Sequence, residues 1–173
     1  MAHYNAVLDN FNRLSPEAAA TAILPCNGSF AWAEGMADLR PFRNPEELFA
    51  TSDNVWRSLS PKAWKHAFDS HPRIGEQKAA AATEQSLAWS EGEQSTAQLS
   101  DNTQAALTIA NQQYEKKFNR IFIVCATGKT APEMLAILTK RLNNDPATEL
   151  HEAAEQQRQI TQLRLRKWLN PGA

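Results

Sequence analysis

The chain has 173 residues, 18 of them basic and 19 acidic, for a formal net charge of −1. That length fits about one domain able to bury roughly two-thirds of its unfolded surface, and the near-neutral balance gives no global field to draw it to nucleic acid or to an anionic membrane. No apolar run approaches the ~20 residues that span a bilayer, and Cys26 and Cys125 fall in no C-x-x-C pair, which, with no charged-then-apolar leader at Met1–Asn10, fits a reducing, cytoplasmic setting.

Glycine is scarce, at six residues, while alanine, leucine, glutamine and glutamate recur, a composition that favours helix over sheet. Ser15-Pro16-Glu17 reads as a helix start: a cap, a proline at the first helical position and an early acid. Asn44-Pro45, Ser60-Pro61 and Asp145-Pro146 repeat the device. Pro25 to Ser29 reads as a turn with Asn27-Gly28 at its tip. From Pro45, residues Leu48, Phe49, Val55, Trp56 and Leu59 form an amphipathic stripe; from Pro61, Trp64, Ala67 and Phe68 form another, ending near Asp69-Ser70. Asp101 is placed to cap a long helix with Leu107, Ala110, Tyr114 and Phe118 at helical spacing. Ile121-Phe122-Ile123-Val124 is a β-branched run, a strand or an extended connector. Thr130-x-x-Glu133 has capping-box spacing for a helix carrying Met134, Leu135, Leu138 and Leu142, and the last helix runs from Pro146 to about Leu169. Together these predict an all-α protein, one compact multi-helix domain over residues 1–173 with a short extended segment near 121–126.

The chemistry concentrates between His71 and Ser95, which reads H-P-R-I-G-E, then a polar, Ala-rich spacer, then W-S-E-G-E-Q-S. An imidazole, the carboxylates of Glu91 and Glu93, the Ser90 hydroxyl and the Gln94 amide lie on neighbouring segments. A structural reading accounts for the same letters: Ser90 and Glu93 have capping-box spacing, and His71-Pro72 closes the preceding helix, because the residue before proline is biased out of the α region. His71 at a helix-to-loop junction is also well placed to face a cleft from packed structure. Arg164 is the second informative residue. It lies four after Ile160 and four before Trp168, on a face that is normally buried. A guanidinium there needs a partner, or must snorkel to water.

The H-P-R-I-G-E run, the S-x-x-E-Q run and a later F-I-V-C-A-T-G run, in this order, resemble those of the OHCU decarboxylases, enzymes of urate breakdown acting on 2-oxo-4-hydroxy-4-carboxy-5-ureidoimidazoline. The resemblance extends from W-A-E-G-M-A-D-L-R-P-F at Trp32 to the L-R-L-R end at Arg166. It implies a cofactor-free carboxy-lyase yielding S-allantoin, with His71, Glu93 and Arg164 as its main polar groups. Pro72, Ser90 and Gln94 are then substrate-binding residues, together with the backbone of Phe122, Ile123, Val124, Cys125 and Ala126. His71 would exchange a proton, Glu93 would orient it or the substrate, and Arg164 would anchor a substrate oxygen. Glu91, on the unspecified middle of S-x-x-E-Q, is left out, and the spacer from Lys78 to Ala88 reads as a surface segment. Some members are peroxisomal, but Asn170-Pro171-Gly172-Ala173 is not the S-K-L address. Members also often form homodimers.

Other readings find less support. Ala126-Thr127-Gly128-Lys129-Thr130 suggests a phosphate loop, but Ile123 stands where that motif needs its first glycine. No pair among His3, His66, His71 and His151 forms H-E-x-x-H, so no metal is expected. Ser90 lacks the G-x-S-x-G context of a hydrolase nucleophile. Cys125 reads as a small buried filler. The five tryptophans read as core, with Trp89, beside Ser90, a candidate pocket wall. Two alternatives stay open: a non-enzymatic helical interaction module, and an enzyme acting on another ureido or imidazoline acid.

Overall fold

The computed structural model describes residues 5–75, 83–94 and 101–172. Among the described residues there are nine α-helices and no strand. They are α1 Ala6–Arg13, α2 Pro16–Ile23, α3 Phe30–Asp38, α4 Pro45–Ser58, α5 Pro61–Asp69, α6 Glu84–Glu93, α7 Asp101–Phe118, α8 Ala131–Arg141 and α9 Pro146–Leu169, with a 3-10 turn at Leu24–Cys26. No described helix is long and apolar enough to cross a membrane.

The helix starts follow from side chains that satisfy the first orphan N–H groups. Ser15 Oγ accepts from the Ala18 N–H at 3.2 Å, Asn44 Oδ1 from Glu47 at 2.8 Å, and Ser60 Oγ from Ala63 at 3.3 Å. Asp145 Oδ1 accepts from Ala147 and Thr148, and Thr130 and Glu133 form the expected reciprocal capping box. Helix α1 has no counterpart among the predicted elements. Its start carries no proline, only Asn5, whose Oδ1 accepts from Leu8 at 3.0 Å. Asp101 is the first residue of α7 rather than its cap, so the cap position falls outside the described residues.

The turn expected at Asn27-Gly28 is present, and Asn27 is fully buried in it, its Nδ2 donating to Thr161 Oγ1 at 3.0 Å and its Oδ1 accepting from the Ser29 N–H at 3.1 Å. Gly28 supplies the positive φ, 96°, that the turn needs. The spacer before Trp89 is not surface throughout, because its described end, from Glu84 to Ala88, is helical and Ser86 is buried; residues 78–82 lie outside the described residues.

The described residues fall into two compact units. One contains the chain up to Ala67 together with the chain from Arg158 onward; the other runs from Phe68 to Gln157. Helix α9 therefore contributes its first half to the second unit and its second half to the first.

In the first unit α3 packs on both α2 and α4. The α3–α4 approach is close enough that a Cβ on Gly35 would lie 3.0 Å from Val55 Cγ1. Phe11 stacks on Phe42 at 6.3 Å and meets Trp168 edge-on at 5.2 Å. Arg40 ties these elements together through the Phe11, Leu14 and Ala37 carbonyls. Asp53 of α4 accepts from Arg158 and Gln162 of α9.

The second unit is built on α7 packed against α8. Its core joins Leu107, Ala110, Tyr114 and Phe118 of α7 to Met134 and Leu138 of α8, with Ile74 and Phe122 from the connecting segments. Full burial of side chains this large contributes roughly 1.5–3 kcal/mol each. The α7 stripe predicted from spacing is buried throughout, while on the α8 stripe Met134 and Leu138 are buried and Leu135 and Leu142 partly so.

Candidate active site

The second unit carries His71, Pro72, Ser90, Glu93, Gln94 and the whole of Phe122 to Ala126. His71 stands two residues beyond α5, its N–H donating to the Phe68 carbonyl at 3.1 Å, and the residue is buried, 8% exposed. The loop that follows is fixed at several points. Pro72 is buried, Arg73 pairs with Glu115 of α7, and Ile74 enters the core while its carbonyl accepts from Asn111 at 3.3 Å. The Gly75 N–H donates to Gln94 Oε1 at 3.0 Å. Gly75 has φ 88°, which a side chain at that position would strain. This bond joins the H-P-R-I-G-E and S-x-x-E-Q runs directly.

Ser90 and Glu93 do not form a capping box. They lie in the last turns of α6, whose actual box is Thr83 with Ser86. Ser86, Ser90 and Glu93 are the buried residues of that helix, and their spacing of four and three puts them on one face. Ser90 Oγ donates to the Ser86 carbonyl at 2.9 Å. Glu91 is exposed and Trp89 is half-buried. A helix of polar average character that nonetheless buries a hydroxyl and a carboxylate is shaped by something other than core packing.

The segment Phe122 to Ala126 has no regular secondary structure, and all five residues are buried. Buried irregular backbone requires partners, and here side chains provide several. The Ile123 carbonyl accepts from Arg141 Nη1 at 2.6 Å, the Cys125 N–H donates to Gln156 Oε1 at 2.9 Å, and the Cys125 carbonyl accepts from Lys129 Nζ at 2.7 Å. Among the described residues, the main-chain groups of Val124 make no hydrogen bond to the protein. They are among the segment's open main-chain groups, with those of Phe122 and the N–H groups of Ile123 and Ala126.

Behind this segment sits a buried polar network that no motif marks. Glu149, fully buried, accepts from Tyr114 Oη at 2.5 Å, Arg141 Nη2 at 2.5 Å and Asn144 Nδ2 at 2.9 Å. The Arg141 guanidinium also lies over the Phe122 ring, 4.6 Å from its centroid. Burial, and then the bond to Glu149, push the Tyr114 hydroxyl well above its ordinary range. Gln157 is the other residue without a motif: it is fully buried, and its Oε1 lies 2.7 Å from His71 Nε2.

Arg164 belongs to the first unit. It does not snorkel: it is fully buried, with Nη1 donating to the Pro25 carbonyl at 3.3 Å. Burial pushes the neighbouring Cys26 thiol far up, with Arg164 acting in the opposite direction. Arg158 and Arg166 lie on other faces, Arg158 paired with Asp53 and Arg166 over the Phe49 ring.

Thr127 and Gly128 form a turn, with φ 76° at Gly128, closed by the Lys129 N–H on the Ala126 carbonyl at 2.9 Å ahead of the Thr130 cap; the segment is not a phosphate loop. Among the described residues no three His, Cys, Asp or Glu side chains are grouped to hold a metal ion.

An all-helical chain with a buried imidazole, a buried carboxylate and a clamped, buried connecting segment has the architecture of a known class of lyase. It is similar to a solved OHCU decarboxylase determined in the presence of (S)-allantoin, with a TM-score of 0.74 and 34% identity over 89% of this chain and 97% of the other. The sequence profile for OHCU decarboxylase matches residues 12–166, and the chain belongs to that family. It is 35% identical over 131 residues to the 2-oxo-4-hydroxy-4-carboxy-5-ureidoimidazoline decarboxylase of Amia calva, covering 73% of each. It is 36% identical over 144 residues to the uric acid degradation bifunctional protein TTL of Arabidopsis thaliana, covering 82% of this chain but 44% of that longer protein.

Proposed function

We propose that this chain decarboxylates OHCU to (S)-allantoin in urate catabolism, with His71, Glu93 and Arg164 as its working polar groups. The observation that carries the reading is the hydrogen bond from Gly75 to Gln94, which unites the family's two separated site motifs around a buried imidazole and a buried carboxylate. Family membership and the relative determined with (S)-allantoin support it.

The bond from the ring carbon to its carboxylate breaks, carbon dioxide leaves, and the electron pair is held by delocalisation into the ring until a proton reaches that carbon. An imidazole with an ordinary pKa of about 6.5 can exchange that proton near neutrality. Glu93 orients the imidazole or the substrate hydroxyl. Ser90, Gln94 and Pro72 bind, and the main chain of Phe122 to Ala126 pairs with the ureido edges, Val124 having groups to offer. Arg164 anchors a substrate oxygen; a charge-assisted bond of this kind contributes about 1.5–3 kcal/mol, so Arg164→Ala lowers turnover roughly 10- to 100-fold. Delivery of the proton to one face gives one enantiomer. Association as a homodimer belongs to the same reading and is open to sedimentation analysis.

The test generates OHCU in place from urate with the two upstream enzymes, adds this protein and follows allantoin circular dichroism. A rapid S-signal, abolished by His71→Ala or Glu93→Gln in folded protein, is the expected result. A trace matching spontaneous racemic decay would overturn the assignment, and turnover of a different ureido acid would redirect it.

A further inference from the structure

We propose that Asn111 is a positioning residue for Gln94: by holding the carbonyl of the Ile74–Gly75 peptide it keeps that peptide's N–H on Gln94 Oε1, and so keeps the Gln94 amide in place. The inference rests on the decarboxylase reading for its meaning, since that reading makes Gln94 a substrate-binding residue, and on geometry for its content.

The carbonyl of Ile74 and the N–H of Gly75 belong to one planar peptide unit and point in opposite directions. Asn111 Nδ2 donates to that carbonyl at 3.3 Å, and the N–H donates to Gln94 Oε1 at 3.0 Å. Which end of each side-chain amide faces the peptide is fixed, because a main-chain carbonyl only accepts and a main-chain N–H only donates. A peptide at this position needs such a hold. Ile74 and Gly75 lie in a turn, and Gly75 has φ 88°. Glycine takes positive and negative φ about equally well, so nothing in Gly75 itself prevents the peptide from rotating. Rotation would swing the N–H away from Gln94 and turn a carbonyl toward it.

Asn111 is the part of α7 suited to select one orientation. It is buried, and it shares a face of that helix with Gln104, seven residues earlier, and Glu115, four later. Along this face the loop is met in order: Glu115 pairs with Arg73, Asn111 holds the Ile74 carbonyl, and the Gln104 amide lies 3.2 Å from where a Cβ on Gly75 would stand. The Arg73–Glu115 pair is partly exposed, its side chains 43% and 29% accessible, and a pair of that kind is screened by water and fixes little. Gln104 closes the space beside Gly75. The Ile74 side chain, in the core with Leu107 and Tyr114, sets where the turn sits. What remains is the rotation of the peptide, and the buried bond from Asn111 acts on that peptide directly.

The test is amide hydrogen exchange by NMR on the full chain, read at Gly75. The expected wild-type result is a protected Gly75 N–H, and Gln94→Ala removes the protection. Asn111→Leu, close in volume but without the donor, speeds exchange at Gly75 roughly two- to tenfold. Thr130→Ala, which loosens α8 without touching this turn, is the control and leaves Gly75 at its wild-type rate. Asn111→Ser, whose hydroxyl is too short to reach the carbonyl, repeats the measurement if the leucine variant does not fold. In the coupled assay Asn111→Leu raises KM roughly two- to tenfold with kcat changed by less than about twofold. In a Gln94→Ala background the same substitution moves KM by less than about twofold, because the residue it acts through is gone. Gly75 exchange unmoved by the Asn111 variants, an equal effect from Thr130→Ala, or KM effects that simply add would each overturn the proposal. Exchange needs no turnover, so a protein inactive on OHCU would remove the decarboxylase reading while the hold of Asn111 on the peptide was still decided.

Discussion

Glu149 offers a demanding test of how the second unit holds its buried connecting segment. Its carboxylate is fully buried and collects donors from α7, α8 and the loop before α9: Tyr114 Oη, Arg141 Nε and Nη2, and Asn144 Nδ2. Glu149→Leu removes all of these acceptors at once and leaves a guanidinium with 5% side-chain exposure opposite an apolar group. Breaking a buried pair by removing one partner costs about 3–5 kcal/mol, because the remaining charge is uncompensated. Tyr114 loses its acceptor too, so the upper half of that range is expected. Against a typical total of about 5–15 kcal/mol, such a loss is large.

The double variant Glu149→Leu/Arg141→Met separates charge from packing. Replacing both members by apolar groups of similar volume is often close to neutral, but Arg141 also donates to the Ile123 carbonyl at 2.6 Å, and an unmet buried acceptor costs about 1–3 kcal/mol. The double variant should therefore be more stable than Glu149→Leu alone yet less stable than wild type. Urea unfolding followed by tryptophan fluorescence, at unchanged slope, measures both. A loss below about 1 kcal/mol for Glu149→Leu, when buried unpaired charges should cost several, would refute the argument. So would a double variant worse than the single. In the coupled assay the double variant should raise KM more than it lowers kcat, since it frees the carbonyl of Ile123 without touching His71.

Other expectations follow from single contacts. Gly35→Ala should destabilise by roughly 1 kcal/mol in thermal unfolding despite better helix propensity, because its Cβ meets Val55 Cγ1 at 3.0 Å; Gly35→Ala/Val55→Ala should recover part of the Gly35 penalty in a double-mutant cycle. The Cys26 thiol, ordinarily ionising near 9.0, is pushed far up by burial. Above that pH the unfolded chain releases a proton that the native chain retains, so Cys26 makes stability fall as pH rises, and urea midpoints for Cys26→Ala should decline less steeply between about pH 9 and 11 than for wild type. Thr130→Ala removes the acceptor for the Glu133 N–H and half of the α8 capping box, a loss of about 1 kcal/mol by urea unfolding.

Much of this architecture was legible because the relevant signals are local. A cap, a proline and an early acid act within one turn, so the starts at Ser15, Asn44, Ser60, Thr130 and Asp145 could be read residue by residue. The stripe of Leu107, Ala110, Tyr114 and Phe118 needed only a period. Helix α6 shows the limit of such reasoning. Ser90 and Glu93 have the spacing of a box at a helix start, yet they lie at a helix end, and spacing alone carries no information about which end of a helix it occupies. Asn27 shows a related limit: the dipeptide Asn-Gly marks the turn correctly, but the burial of its side chain involves Thr161, 134 residues away.

The polar residues of α9 were within reach and show how the reasoning extends. Arg164 stood out because it shares a face with Ile160 and Trp168. Carried back along the helix at intervals of three and four, the same face passes through Gln157 and Ala153 to Glu149, all fully buried. A polar residue on an apolar stripe must be satisfied by something distant in sequence. For Glu149 that is Arg141, Tyr114 and Asn144, and for Gln157 it is the imidazole of His71. The stripe therefore specifies where a partner is required before any partner is known. What it cannot supply is the partner's identity, because that is settled by which loops the tertiary fold brings against the helix.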